Sequence, residues 1–325
     1  MNNIVLRKPF PHLFFIAVAL VFPFVYPSEY AKHVFALIFI KIILCMSLRQ
    51  MLLTGLLNLS IVSFMAIGAY FTAVLGTTLG MSFWIVMPLS GLTCSLIGLF
   101  FAFPVLRLKG AYFFIGTICF AVCVQTFFSN FYVETFAGVP GFTPIDVPHI
   151  KLPGFELDFM SHLSYYYLTF IIMLLSIVIF YRLENSRFGQ YWKAISFADR
   201  LIETVGVDLL KSKILNFTIS CFFAGIAGSL FAPLIGIITP HDFDLLFMFI
   251  LVMFIVVGGT DSFWGPITGV IAISILAELL RDFGQYETIG YGFILVLALI
   301  FMPKGICGLI ERFISSKKEV IKTPN

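Results

Sequence analysis

Charge is scarce in this chain: of 325 residues only 11% are Asp, Glu, Lys or Arg. A soluble domain carries about a quarter charged residues, so there is too little polar surface here to cover a water-soluble globule. Sustained apolar–polar alternation is also missing, which excludes a membrane β-barrel. The dipeptide Gly-Lys occurs nowhere, so the chain has no nucleotide-binding loop of the Gly-x-x-x-x-Gly-Lys-Ser/Thr type. The zinc-protease pattern His-Glu-x-x-His, the hydrolase pattern Gly-x-Ser-x-Gly and the redox pattern Cys-x-x-Cys are absent as well. No cluster of polar catalytic groups falls at one depth of the apolar runs, which argues against an intramembrane enzyme.

What is present is apolar: 60% of the residues are hydrophobic, and mean hydropathy is +1.04. Unpaired backbone groups are very costly in lipid, so long continuous apolar runs there must be helices. Such runs cover about 10–27, 31–48, 60–80, 83–104, 111–132, 163–182, 213–238, 243–258, 263–281 and 286–302. The expected fold is an all-α polytopic membrane protein of about ten transmembrane helices, forming a single transmembrane domain over 1–325 with spans within 10–302. The first run follows Arg7 and Lys8 like a signal peptide. It ends Tyr26-Pro27-Ser28-Glu29 without a small-x-small cleavage site, so it reads as a retained span. Segment 49–59, with Arg49, Gln50, Thr54 and Asn58, either extends the second span or re-enters the membrane.

Charge distribution sets the orientation. With the N-terminus in the cytoplasm, the inner segments carry Arg49, Arg107, Lys109, Arg182, Arg187, Lys193, Arg200, Lys211, Lys213 and the basic tail 303–325. The outer segments carry Lys32, Lys151 and Arg281 against Glu29, Glu134, Asp146, Glu156, Asp158, Asp242, Asp244, Asp282 and Glu287. This positive-inside bias predicts an even span count with both termini cytoplasmic.

Two loops are long. The outer one, 133–162, is rich in Pro and Gly and reads as turn-rich. The inner one, 183–212, has helix signals. Phe188, Tyr191, Trp192 and Ile195 fall at i, i+3, i+4 and i+7, which predicts one aromatic–aliphatic face. Ser196 with Asp199 resembles a capping box; Leu201, Ile202 and Val205 continue an apolar face, and Gly206 suits a C-cap. Two short amphipathic helices with a break near Ser196 are expected. They lie on the membrane surface, form a solvated loop, or dock a partner.

Ionisable groups inside spans mark ion-coupled pumps, and only Lys41 and Glu278 qualify. Together with Asn58 they are the coupling candidates of an ion-driven secondary carrier. The spans instead carry small residues, such as Gly68-Ala69-Tyr70, Gly225-Ile226-Ala227-Gly228 and Gly258-Gly259. These read first as close helix packing and second as a path for a polar, uncharged or zwitterionic solute. Phe64–Ala69 faintly echoes Phe223–Gly228, as in transporters with internal repeats. The five histidines lie near span ends or in the outer loop, and Cys119 and Cys123, four apart, read as small packing residues.

An ordered series of motifs resembles a known family. It begins with Arg107-Leu108-Lys109-Gly110-Ala111-Tyr112-Phe113, continuing through Thr117 and Phe120. Ser186-Arg187-Phe188-Gly189-x-x-x-Lys193-Ala194-Ile195 follows, then Ala198-Asp199-Arg200, Glu203 and Gly206-Val207. Phe222–Gly228, Pro240-x-x-Phe243, Gly258-Gly259-x-x-Ser262-x-x-Gly265-Pro266 and Pro303-Lys304-Gly305-Ile306 complete it. Over residues 45–310 the chain resembles the M-type permeases of branched-chain amino acid ABC importers.

That resemblance implies a translocating subunit of the bacterial inner membrane that is not itself an enzyme and binds no cofactor. ATP would be used by two separate ABC ATPase subunits. It also implies a paralogous H-type permease partner and a periplasmic solute-binding protein. By the same analogy Arg187, Phe188, Gly189, Lys193, Ala194, Asp199, Arg200, Glu203 and Gly206 form the ATPase-coupling loop. Asn58, Ser60, Ser63, Gly68, Tyr70, Tyr112, Thr117, Gly258 and Gly259 are candidates for the translocation path. One departure stands out. Where the family has Ser-Leu-Gly-His-Ala, this chain has Asn58-Leu59-Ser60-Ile61-Val62-Ser63, which leaves urea or short-chain amides open as alternative substrates.

Overall fold

The computed structural model of the chain describes residues 22–23, 28–108, 110–130, 149–152, 155–158, 162–197, 206, 208–280, 290 and 305–308. Nine α-helices of eight residues or more are described: α1 Glu29–Leu52, α2 Ile61–Leu79, α3 Phe83–Val105, α4 Ala111–Asn130, α5 His162–Asn185, α6 Arg187–Phe197, α7 Leu209–Ile235, α8 Leu245–Gly258 and α9 Gly265–Leu280. Among them α1, α2, α3, α4, α5 and α7 are the six long and apolar enough to cross a membrane. Their limits fall within a few residues of the apolar runs, because in lipid the run of apolar side chains and the run of satisfied backbone must coincide. The expected spans at 10–27 and 286–302 lie almost wholly outside the described residues.

Helix ends carry the expected chemistry. Asp208 caps α7 by accepting from the Lys211 N–H at 3.1 Å, and Asp244 caps α8 through the Phe247 N–H at 3.0 Å. Gly80 and Gly236, both with positive φ, close α2 and α7. Segment 49–59 divides: α1 continues through Leu52, and a buried connection then leads into α2. In that connection Asn58 Oδ1 accepts from the Ser60 N–H and hydroxyl, at 3.0 and 2.6 Å.

Helix α7 is the centre of the bundle, packed against α1, α2 and α3; α1 in turn carries α5, α8 and α9. The core is largely phenylalanine and aliphatic side chains from these helices. The perimeter is equally apolar: α3 exposes Ile85, Leu89, Leu92, Leu96, Phe100 and Phe103 along one face. Water would not tolerate such a stripe on a monomeric globule, whereas lipid or a second membrane subunit covers it without penalty.

Two expectations are corrected. The outer loop is not only turns: His149–Leu152 and Phe155–Asp158 pair as a short antiparallel hairpin, with His149 opposite Asp158. The alternation across Pro153-Gly154 permits this, although four residues per strand was too short a signal to read. Cys119 and Cys123 do not pack inside but are exposed on α4.

Candidate coupling end and helix crossing

Helix α6 is seated on the bundle by an ion-pair network. Arg49, from the last turn of α1, donates to Glu184 from the last turn of α5, at 2.5 Å (Nη1–Oε2) and 3.2 Å (Nη2–Oε1). Lys193 of α6 reaches the same carboxylate at 2.7 Å. Arg49 is 2% exposed and Glu184 7%, so this is a buried pair with one half-exposed third member. The Arg49 guanidinium also lies 5.5 Å from the Phe263 ring in the α8–α9 turn, and Phe263 packs edge-on to Tyr181 of α5.

The seating is completed by packing. A Cβ on Gly189 would collide with the Glu184 carbonyl, so only glycine lets α6 turn back this tightly on α5. Trp192 is fully buried, its indole N–H donating to the Ser212 carbonyl at 3.1 Å. Ile195 is buried beside it, with Leu53, Leu183, Leu209 and Ile219 packed around the two. The Cα of Ser196 sits against Gly55 of the connection before α2. Helix α6 therefore touches α1, α5, α7 and the approach to α2 at one end of the bundle.

The sequence pattern placed Phe188, Tyr191, Trp192 and Ile195 on a single face; the structure splits them. Trp192 and Ile195, with Gly189, face the bundle, while Phe188, at 52% exposure, and Tyr191 face outward. Arg187 and Ala194 share the outward side, while half-exposed Lys193 turns its ammonium in to Glu184. The face was misjudged because the apolar run is wide enough for two surfaces, and only the position of Gly189 decides which one docks. Asp199, Arg200 and Glu203 lie outside the described residues, as does the second expected helix that Gly206 was to cap; Gly206 itself has φ 82°.

The path candidates divide. Gly68 is a packing residue: a Cβ there would run into the Gly225 carbonyl, and one on Gly225 would lie 2.7 Å from the Cys94 sulfur. Ser90 binds this crossing by donating to the Gly68 and Gly225 carbonyls, at 3.2 and 3.1 Å. The two segments that echo each other in sequence are thus the contact surfaces of α2 and α7. Gly258 and Gly259 are packing residues too. Gly258 abuts Gly265, and Gly305 of the Pro-Lys-Gly-Ile motif abuts Gly259, so two distant motifs meet.

Thr117 accepts from the Leu59 N–H at 3.4 Å and so ties α4 to the buried connection holding Asn58 and Ser60. Tyr112 is 72% exposed on α4. Ser63 and Tyr70 alone line a crevice, with Gln125, Phe128, Pro240 and Phe243. The secondary-carrier candidates engage separate partners: Lys41 lies over the Phe254 ring, Glu278 accepts from the Tyr30 hydroxyl at 2.5 Å, and Asn58 serves its own turn. Among the described residues there is no cluster of three metal-ligating side chains.

Two features escaped sequence reasoning. Glu184 falls in the stretch 183–212 read as the inner loop and was not singled out; its spacing to Arg49 carries no local signal. Asn216, whose amide donates to the Gln50 carbonyl at 2.8 Å, is a buried α1–α7 tie visible only as a lone Asn in an apolar run.

Comparison with known proteins agrees with this architecture. Residues 30–302 match the model of a family described as branched-chain amino acid transport system / permease component. The chain is 31% identical over 311 residues to the high-affinity branched-chain amino acid transport system permease protein LivM of Escherichia coli, covering 90% of this chain and 73% of that one. It is 30% identical over the same length to the protein of that name from Salmonella typhimurium, with the same coverage. A probable branched-chain amino acid transport permease protein LivH of Methanocaldococcus jannaschii is 30% identical over 151 residues, 43% of this chain and 47% of that one. No solved structure matches. With six helices of spanning length in the order the motifs require, the chain is a multi-pass membrane protein belonging to the family of branched-chain amino acid transport system permease components.

Proposed function

We propose that this chain is the translocating subunit of an ATP-driven importer of branched-chain amino acids in a bacterial inner membrane. It would have about ten spans, both termini in the cytoplasm, and the α6 end facing the cytoplasm. The observation that carries this reading is α6 itself: its inner face is seated on α5, α7 and the C-cap of α1, and its outer face offers Arg187, Phe188, Tyr191 and Ala194. Such a helix transmits a push from a docked partner into α1, α5 and α7. Arg182, Arg187, Lys193, Lys211 and Lys213 gather at this end, and Glu29, Asp242, Asp244 and Glu278 at the other, as the positive-inside bias requires.

Without a nucleotide-binding loop, the energy must come from a separate ATPase, and α6 with the following stretch through Asp199, Arg200, Glu203 and Gly206 is its dock. Two ATPase subunits, an H-type permease and a solute-binding protein on the opposite face complete the system. The test is reconstitution of this chain with those partners in proteoliposomes. Accumulation of labelled leucine, isoleucine or valine on ATP addition is expected. Accumulation of urea or a short amide in their place would overturn the substrate, and uptake abolished by an ionophore but insensitive to ATPase removal would overturn the mechanism. Arg200→Ala and Glu203→Ala are expected to uncouple uptake from ATP hydrolysis while membrane insertion persists.

A further inference from the structure

Ser63, Ala66 and Tyr70 lie at i, i+3 and i+7 on α2, and Ala121, Val124, Gln125 and Phe128 at i, i+3, i+4 and i+7 on α4. The two faces bound one narrow crevice, and Pro240 and Phe243 line its third side. It is too narrow for a water molecule. Its walls are mostly apolar: Tyr70 stacks on Phe128 with ring centres 4.1 Å apart, and Phe243 packs against both Tyr70 and Phe231.

Its polar groups are few and specific. The Ser63 hydroxyl is buried, 2% exposed, and has no hydrogen-bond partner. A serine within a helix ordinarily donates back to the preceding turn, and a buried polar group without a partner calls for an explanation. The Gln125 amide donates only a long 3.4 Å bond to the Pro240 carbonyl. No charged side chain lines the crevice, so any solute it takes carries no net charge.

The segment that bounds the third side is braced as one piece. Asp242 accepts from both the N–H and the hydroxyl of Thr239, at 2.7 and 3.0 Å, locking Pro240–Phe243 as a single 3₁₀ turn. Gly236, with φ 78°, precedes it and the Asp244 cap follows. Helix α8 is short: its 14 residues rise about 21 Å, less than the ~30 Å hydrocarbon layer, and the segment before it buries Ile238, Pro240 and Phe243 while His241 is exposed. Helices interrupted at partial depth accompany solute sites in many transporters.

We propose that this crevice is a solute subsite for a small zwitterion with a branched aliphatic side chain, closed by the 236–244 segment from the side opposite α6. The Ser63 hydroxyl and Gln125 amide take the polar end, together with the Pro240 carbonyl released when the turn withdraws. Phe128, Phe243 and Val124 take the side chain. The inference rests on the importer reading above.

The test uses the full importer in proteoliposomes and reads initial rates of leucine, valine and alanine uptake, with co-purification of the ATPase as the measure of assembly. Ser63→Ala and Gln125→Ala are each expected to raise the KM for leucine about tenfold, the loss of one hydrogen bond to a charged group. Ala121→Val, which narrows the crevice wall, is expected to shift preference from leucine toward valine and alanine. Wild-type importer that takes up no branched-chain solute overturns the function reading and the solute assigned here. Active wild type with KM and preference unchanged in all three assembled variants overturns the subsite alone.

Discussion

Arg49 and Glu184, separated by 135 residues in sequence, meet at 2.5 Å in a buried ion pair that joins the ends of α1 and α5 directly beneath α6. The pair holds the two helices at the point where Gly189 folds α6 back and Lys193 fastens it. Helix α6 thus rests directly on α5 and α7, with the C-terminal end of α1 tied in through Glu184.

Removing one partner leaves a buried charge unpaired. Arg49→Ala or Glu184→Ala is expected to lower stability by about 3–5 kcal/mol, whereas Arg49→Met combined with Glu184→Leu should recover most of it. Thermal unfolding of the purified protein in detergent, analysed as a double-mutant cycle, measures this. Additive losses would show that the two side chains do not act as a pair.

The split face of α6 separates docking from folding. Trp192→Ala should cost about 3–5 kcal/mol through lost packing and the lost indole hydrogen bond to Ser212. Phe188→Ala should change stability by about 1 kcal/mol or less yet weaken co-purification with the ATPase. The two measurements on the two variants, unfolding and pull-down, are expected to cross over.

At the helix crossing, Gly68→Ala forces α2 off the Gly225 backbone and should destabilise by about 1–3 kcal/mol. Gly76→Ala, on the same helix with open space around it, should be neutral or stabilise by about 0.5–1 kcal/mol. Melting temperatures of the pair decide whether the small residues serve close approach.

Asp208, at the α7 N-cap, is held below the usual carboxylate range, chiefly by the hydrogen bond from the Lys211 backbone N–H and also by the Lys211 side chain. A lowered folded-state pKa means that the cap's contribution is present above the unfolded pKa and is lost as pH falls through the folded one. Hydrogen exchange in the first turn of α7 should therefore quicken in acid. Asp208→Asn should keep the cap and abolish that pH dependence.

Sequence and structure divided the information unevenly. Spans were legible to within a few residues, since lipid demands a long apolar run wherever the backbone is helical. The amphipathic character of 187–197 was legible too, but not which side docks, because Trp192 and Phe188 are equally apolar and only contact with α5 distinguishes them. The small residues of α2 and α7 could be read as packing or as path. Gly68 and Gly225 proved to be packing, while Ser63 and Tyr70, on a different face of the same helix, line the crevice.

Composition and local order by themselves determined that this is a helical membrane protein, where its described helices begin and end, and which loop turns back as an amphipathic helix. Those properties follow from the solvent of each segment and from neighbours within a few residues. The tertiary structure alone decided that Arg49 meets Glu184, that the motifs at Gly259 and Gly305 touch, and that the turn at Pro240 closes a crevice between α2 and α4. Each is a pairing of distant side chains, set by how the helices cross, and no periodicity along the chain encodes it.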